Sequence, residues 1–542
     1  MKYSSWNIKL KYPRNPIKEI VRERMKRSGF VLSPKYESLS DPKTIHDLSK
    51  ASKILKKAIT DGRTIGIFMD YDADGVCAGA ILYKAIRMLK GDCEYYVPRR
   101  SEGYGLSRKA LDDFRKKNVD LVVTVDCGIR NIAEIEYAKK LQLDIIVTDH
   151  HLIGEKKPKA LATVHPALKN DNTFSQYSGA GIALQLAREL LDKDEKTKWF
   201  LDLASISTVA DVVPLIGENR VIVKYGLIVI NKTRNLGLKY LIEKADLSKK
   251  EIGTYELGYM IAPRLNAAGR LARPIDSFRL LITQNTDEAK QLSEKLNKYN
   301  KIRQKQLSDS MEEALIITKK QELYQNNIIL IRGKWNEGIV GLIAGKITQE
   351  YHLPSIVLAE VDGKLKGSAR SIPKIDITKL ISKFRNYLFS YGGHQQAAGL
   401  SLKRGRFKSL KNALEKEAKK IDKKIFAREL EIDALVKMND LNLDFARDLQ
   451  KLSPFGMGNP QVVLCLKRIY VERMRLVGRD NNHLNLLLCS EDKFCKAILF
   501  NYNEKVFELE EGQEFDLAFR VMIDSWRGKD KINLHILDAK KS

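Results

Sequence analysis

The sequence predicts an α/β protein in three parts: a parallel-sheet domain, a long helix leading into a smaller α/β domain, and a C-terminal β-barrel. Three observations predict it. The short β-rich apolar runs TIGIFMD, DLVVTVD and LDIIVTDHH each end in acidic residues and alternate with helical stretches. Residues 286 to about 320 carry one helical pattern with no Gly or Pro. Residues 428–542 are mostly strand-like segments separated by turns.

Residues 1–55 read as a polar, partly helical lead-in. The pattern changes at Thr64. Helical stretches at 76–90 and 130–141 separate the three acidic-ended runs, and strand–helix alternation at this spacing predicts a parallel sheet over 56–285. Ligands bind such sheets at the carboxyl ends of the strands, where all three acidic clusters fall. In the long helix, assigned to 286–325 with its link, Leu292, Leu296, Tyr299, Ile302, Leu307, Met311 and Leu315 recur at helical spacing. At ~1.5 Å per residue it reaches about 50 Å, enough either to bridge two domains or to pack along one. The second α/β unit, 326–427, has strands in NNIILIRG, PSIVLAE and LKGSARS, a helix in GIVGLIAGKITQEY, and a glycine-rich loop in YGGHQQAAG. The short strands of 428–542 suggest a small barrel such as an OB-fold.

The composition suits a soluble globular chain of 542 residues, with 44% apolar and 30% charged residues. Lys and Arg total 95 against 68 Asp and Glu, a net charge of +27. That surplus favours a polyanionic partner, although a general lysine bias produces the same number. The six cysteines form no paired CxxC motif and read as reduced thiols of a cytoplasmic protein. No apolar h-region opens the chain and no run approaches a membrane span, so neither a secretory leader nor a membrane partner is expected.

The chemistry concentrates in Met69-Asp70-Tyr71-Asp72-Ala73-Asp74-Gly75. Three alternating carboxylates at a strand end repel one another unless a cation neutralises them. A calcium EF-hand fails, because Ile81 stands where its bidentate Glu is required and a strand, not a helix, precedes the loop. A solvated turn would use one or two of the acids, not three. Asp126 ends the second run and Asp149-His150-His151 the third; carboxylate with imidazole suits Mn²⁺, Zn²⁺ or Fe²⁺. Asp211, in ADVVP after an apolar helix, is a fourth candidate. Several Asp and at least one His from separate elements make the ligand set of a two-metal centre, whose natural reaction is phosphoester hydrolysis.

In order, DYDADG, VDCG, TDHH and ADVVP resemble the metal motifs of the DHH phosphoesterases. APRLNAAGR, GSARS, GGH with AAG, and LSPFGMGNP resemble the RecJ branch of that superfamily, over roughly residues 50 to 540. The resemblance implies a DHH domain, a DHHA1 domain and an OB-fold. It implies two divalent cations, Mn²⁺ or Mg²⁺, held by Asp70, Asp72, Asp74, Asp126, His150 and Asp211. It gives His151 contact with the scissile phosphate or the polarising of water, and makes Asp149 the residue that orients a histidine. Asn266, Arg270, Ser368, Arg370, Gly392, Gly393 and His394 would bind substrate, with the Gly392 and Gly393 amides and His394 receiving a terminal phosphate. Two positions depart from the pattern: Met69 stands where Gly is expected and His165 where Asn is expected. Phe68 lies where some relatives carry His, which makes the metal set more carboxylate-rich.

The family expectation is a 5′→3′ exonuclease that threads single-stranded DNA between the DHH and DHHA1 domains and releases mononucleotides, in recombination and repair. A barrel of this kind binds single strands with aromatic and basic side chains. Tyr470, Phe494, Phe500, Tyr502 and Trp526 are candidates, beside Arg473, Arg475, Arg479 and Arg527; Trp526 and Arg527, in a predicted turn, are the pair placed at the surface. Single-strand-binding protein and a RecQ-type helicase are the expected protein partners, and the chain is expected to be a monomer. The alternatives are a phosphodiesterase for short oligonucleotides or cyclic dinucleotides, and a non-catalytic replication scaffold of the same fold.

Overall fold

Five parallel strands form the sheet on which the acidic clusters sit, in the order Cys93–Tyr96, Ile65–Met69, Leu121–Val125, Asp144–Thr148, Ala162–Val164. The structure is a computed structural model that describes residues 2–28, 30–168, 174–491, 493–504, 506–526 and 529–542. The chain divides into two units, one of Val21–Lys301 with Lys451–Gln461, the other of Met1–Ile20, Ile302–Gln450 and Val462–Ser542.

In the first unit, strands Ile65–Met69 and Leu121–Val125 are buried at every position. That is why they read as unbroken apolar runs and not as alternation: helices cover both faces of the sheet. Helices Leu48–Thr60, Ala73–Met88, Gly179–Leu190 and Leu201–Ala210 pack one face into a core that includes Leu55, Ile67, Ile81, Leu186 and Leu203. Phe68, Leu111, Phe114, Ile135 and Val147 pack the other face under helices Arg108–Lys116 and Ile132–Lys140. The strand register aligns Met69, Val125, Thr148 and Val164 in one row. The residues that follow each of them, Asp70, Asp126, Asp149 and His165, therefore share the carboxyl edge of four adjacent strands.

The segment Lys451–Gln461 belongs to this unit although the sequence on either side of it does not. Arg220, fully buried, holds it in place. The guanidinium donates to the carbonyls of Leu452, Ser453 and Pro454 and to those of Val31 and Leu32, at 2.8–3.3 Å, and lies over the Phe30 ring. A planar fork with five N–H donors is suited to such a cluster of acceptors. Asn459 closes the turn by donating to the Leu452 and Pro454 carbonyls. The Met457 carbonyl accepts from Leu215 N at 2.7 Å, four residues beyond Asp211.

Helix Thr286–Lys320 runs unbroken for 35 residues, as its pattern predicts. Its first half contributes Leu292, Leu296 and Tyr299 to the core of the first unit. Its second half contributes Leu307, Ala314 and Met311 to a core of the second.

The second unit contains a mixed five-stranded sheet in the order Leu388–His394, Ala397–Lys403, Lys364–Arg370, Ser355–Val361, Ile329–Gly333, with helices Val340–Tyr351 and Phe407–Ala418 against its two faces. YGGHQQAAG corrects the sequence reading: it is not a glycine-rich loop but the turn and flanks of an antiparallel hairpin. Its glycines follow the strand because Ala398, Leu400 and Leu402 supply the side chains that pack against the core. Strands Leu464–Val477, His483–Ser490, Lys493–Leu499, Lys529–Lys541 and Glu514–Trp526 close into a barrel, the first pairing with the last. The lead-in also differs from its reading. Strand Ser5–Lys11 pairs in parallel with Glu429–Leu435, and Trp6 Nε1 donates to buried Asp538 at 2.8 Å.

Candidate metal centre

The carboxyl edge of the parallel sheet gathers the acids. Asp70, Asp74, Asp126 and Asp149 are all at least 94% buried. Asp72 caps helix Ala73–Met88, its Oδ1 accepting from the amides of Asp74 and Gly75. Asp74 lies one step inside that helix and points at the N-terminus of helix Gly179–Leu190. Its two oxygens accept from Gly179 N, Ala180 N and Ser207 Oγ at 2.6–2.8 Å. Backbone N–H groups at a helix start attract a carboxylate, and these three donors fix the Asp74 side chain in position. Asp211 caps the C-terminus of helix Leu201–Ala210 and faces the same space.

Three ligand sets converge within 4.8 Å: Asp70–Asp72–Asp126, Asp74–His150–Asp211, and Asp126–His150–His151. Asp126 and His150 each occur in two of them, the sharing that two adjacent cations require. His150 Nε2 is 3.0 Å from Asp126, 3.6 Å from Asp74 and 3.8 Å from Asp211. Burial and mutual repulsion push the acids up: Asp70, Asp72 and Asp126 lie above the ordinary carboxylate range, and Asp211 rises to about 8. Burial lowers the pKa of His150, leaving the neutral imidazole that binds metals. Asp70 Oδ1 is buried with no hydrogen-bond partner. An orphaned carboxylate oxygen among repelling carboxylates is costly. Hard divalent cations such as Mn²⁺ or Mg²⁺ fit both the donor set and that deficit.

Asp149 does not join these sets. It braces the loop: Oδ1 accepts from the amides of His150 and His151 and lies 2.8 Å from His151 Nδ1, while Oδ2 accepts from Ile129 N. Burial alone would raise its pKa, but these hydrogen bonds hold it below the ordinary value. His151 is the reverse case. Burial is the largest single influence and works against its charge, but the Asp149 hydrogen bond together with the charges of Asp149, Asp211 and Asp74 outweighs it and raises the pKa.

Two residues complete the loop. Tyr104, which the sequence reading did not single out, places its hydroxyl 3.0 Å from His151 Nδ1 and 3.2 Å from the Asp126 carbonyl. Its signal in the sequence is GYG, since Gly103 and Gly105 adopt φ of 91° and 87°, where a side chain is strained. His165 accepts from Ala167 N at Nδ1, so its proton sits on Nε2 and is donated to the His151 carbonyl at 2.8 Å.

Of the predicted substrate residues, Asn266 sits at this centre, its Oδ1 accepting from Ala73 N at 2.8 Å. Arg270 lies one turn further along the same helix, Ala262–Leu271. In the second unit the strand register brings the others into two rows. Ser368, Gly399 and Gly392 form one; Arg370, Ala397 and His394 form the next. Paired residues of neighbouring strands share a face. Arg370 and His394 thus flank a floor of Gly and Ala, about 10 Å apart at ~4.8 Å per strand. Gly393 pairs with Ala398 and points to the other face. On the barrel, Tyr470, Cys489 and Phe494 align across three strands, with Phe494 57% exposed. Phe500 lies edge-on between His483 and His535, and Tyr502 stacks on Phe507. Arg527 and the side chain of Trp526 lie outside the described residues.

Family models match three stretches of the chain: the DHH family, N-terminal domain, over residues 64–208, the DHHA1 domain over 325–420, and the RecJ OB domain over 432–538. The single-stranded-DNA-specific exonuclease RecJ of Escherichia coli is 30% identical, over 96% of this chain and 95% of its own. The chain belongs to the RecJ family. The Bacillus subtilis RecJ is 34% identical over 93% of this chain, which spans 64% of that longer relative. The crystal structure of Thermus thermophilus RecJ in complex with Mn²⁺ superposes with a TM-score of 0.85 at 28% identity, covering 99% of this chain and 80% of that one.

Against the RecJ pattern, Met69 and His165 both have a structural account. Met69 is buried against helix Ala73–Met88, where Gly79 leaves the space for its sulfur. His165 holds the backbone of the DHH loop. Phe68 faces away from the metals, packed in the core on the far side of the sheet and stacked on Tyr96.

Proposed function

We propose that this RecJ-family chain is a metal-dependent 5′→3′ exonuclease that hydrolyses single-stranded DNA to mononucleotides in recombination and repair. The observation that carries the reading is the three ligand sets linked through Asp126 and His150, with Asp70 Oδ1 left for a cation. Relatives named as single-stranded-DNA-specific exonucleases support the substrate, and family membership supports the polarity.

Two divalent cations bound there would polarise a phosphodiester and lower the pKa of the attacking water. The protein's own part is positional. The Gly179 and Ala180 amides hold the Asp74 carboxylate in place. Asp149 keeps the His151 proton on Nδ1 and turns the ring edge toward Tyr104 and Asp126. Asn266 ties the DYDADG loop to the helix that carries Arg270, a guanidinium suited to phosphate. In the second unit, the low floor between Arg370 and His394 suits a terminal phosphate.

The barrel supports a single-stranded substrate through its exposed Tyr470 and Phe494, a stacking arrangement indifferent to sequence. The same reading assigns a monomer acting in the cytoplasm, working with single-strand-binding protein and a RecQ-type helicase. Its six free cysteines suit a reducing compartment, and no helix among the described residues is long and apolar enough to cross a membrane.

The test is a 5′-labelled single strand and its duplex, incubated with Mn²⁺ or with EDTA, beside an Asp72→Ala, Asp74→Ala variant. Labelled mononucleotide released from the single strand alone, with metal alone and not by the variant, is the expected result. Intact strands in every lane, with binding retained, would favour the scaffold reading.

A further inference from the structure

Two tyrosines stand in solvent on the helix that reaches the metal centre. Tyr255 is 63% exposed and Tyr259 71%, and their rings stack on each other with centroids 4.9 Å apart and planes 28° from parallel. Aromatic side chains this large are ordinarily a source of buried area. Here the surrounding residues do that packing: Leu257 and Ile261 are buried, and Gly258 lies against Val209 on the helix that ends in Asp211. The outward faces of the two rings contribute nothing to the core.

The backbone around them is unusual. Helix Thr254–Glu256 passes through a π-helical turn at Leu257–Ile261 before continuing as Ala262–Leu271. Such turns insert a residue into the helical ladder and occur frequently at functional sites. The start of the helix is anchored where Thr254 Oγ1 donates to the Phe455 carbonyl at 2.9 Å. Its far end is anchored at the metal loop, where Asn266 accepts from Ala73 N and Gly269 lies so close to the Tyr71 carbonyl that a Cβ would come within 2.7 Å. The tyrosines are thus held at a fixed distance from the centre. At ~1.5 Å per residue Tyr259 lies about 10 Å and Tyr255 about 16 Å along the helix from Asn266.

We propose that Tyr255 and Tyr259 form a base-stacking platform for the substrate strand. The inference rests on the single-strand reading of the metal centre. The occupant follows from continuity with that site: the helix that docks on the metal loop through Asn266, and carries Arg270 one turn further on, also carries the ring pair. Every base has a π-face, so a tyrosine platform takes any sequence while requiring an unpaired base. At ~3.4 Å per stacked nucleotide, the distance places the platform about three to five nucleotides from the cleaved bond.

The experiment uses the full chain with Mn²⁺ and 5′-phosphorylated 20-nucleotide strands in which one abasic nucleotide is moved from position two to position eight. Wild-type protein shows a KM about tenfold higher when the abasic position meets the platform, in the range of one lost stacking contact. A Tyr255→Ala, Tyr259→Ala variant has the raised KM on the intact strand and no further rise at any abasic position, with kcat within about twofold of wild type. A Tyr259→Phe variant restores the wild-type profile, and an unaltered Mn²⁺-induced rise in melting temperature certifies that the double variant is folded. An active wild type beside a double variant with the same KM and the same abasic profile overturns the platform alone. A wild type that leaves the intact strand uncut with Mn²⁺ overturns the nuclease reading, and the platform with it.

Discussion

Asp149 Oδ1 lies 2.8 Å from His151 Nδ1 and also receives the backbone amides of His150 and His151. One carboxylate oxygen therefore sets both the tautomer of one histidine and the backbone path of the pair. Asp149→Asn keeps the shape but weakens that acceptor and turns an amide group toward Ile129 N. The expected loss in kcat is about 10- to 100-fold, the usual cost of removing a group that orients a ligand. Steady-state kinetics beside a Mn²⁺ titration checks it; wild-type kcat would remove Asp149 from the machinery.

Asp126 should show opposite effects with and without metal. Without it, Asp126→Asn relieves repulsion among Asp70, Asp72, Asp74 and Asp211, so the melting temperature rises. With Mn²⁺ at about 100 times its Kd, the wild type gains ~2.7 kcal/mol, and the variant loses most of that gain. Differential scanning calorimetry in EDTA and in Mn²⁺ reads both signs.

Asp202 supplies a pH dependence outside the metal site. Burial raises its pKa from 3.8 to about 6, partly offset by the Thr233 hydroxyl and by Lys84. A raised carboxyl contributes stability that is complete below about pH 4 and lost as pH rises through 6. Two units correspond to about 3 kcal/mol. Urea midpoints of Asp202→Asn against wild type should therefore shift in favour of the variant between pH 4 and pH 7. A constant difference across that range contradicts the assignment.

Arg220→Met removes the guanidinium donor from the carbonyls of Val31, Leu32 and Ser453, and leaves those of Leu452 and Pro454 with Asn459. Buried carbonyls left without a donor cost about 1–3 kcal/mol each, so the variant is destabilised by a few kcal/mol. Because the Met457 carbonyl holds Leu215 N, close to Asp211, Mn²⁺ affinity should fall as well. Urea unfolding and a Mn²⁺ titration measure the two effects separately.

Ala397→Leu raises the floor between Arg370 and His394 without touching a metal ligand. KM for a 5′-phosphorylated strand should rise about tenfold, the scale of one lost charged contact, and the rise should shrink when the 5′ phosphate is absent. Equal KM values for the two strands would place the terminal phosphate elsewhere.

The first unit was the most legible in the sequence, because buried parallel strands leave unbroken apolar runs and their ends mark the ligand edge. DYDADG, DHH and Asp211 could be placed before any coordinates. Tyr104 could not, since it is a single aromatic in an irregular segment and only its flanking glycines hint at a constrained backbone. His165 was visible as a departure, but its role needed the row that aligns Val164 with Thr148. Strand Ser5–Lys11 escaped because its partner, Glu429–Leu435, lies more than 400 residues away. The Gly-rich hairpin at Gly392 read as a loop because local propensity weighed more than the sheet it completes.

The placement of Lys451–Gln461 makes the two units interleaved along the gene. A cut ahead of residue 428, which looks from sequence like clean removal of the barrel, also takes away part of the metal domain's interior and strands Arg220 among missing acceptors. During synthesis, the unit that holds the metal site stays incomplete until residue 461 of the 542 has been made. Only a cut placed after Gln461 removes the barrel strands, which begin at Leu464, and leaves the segment that Arg220 holds.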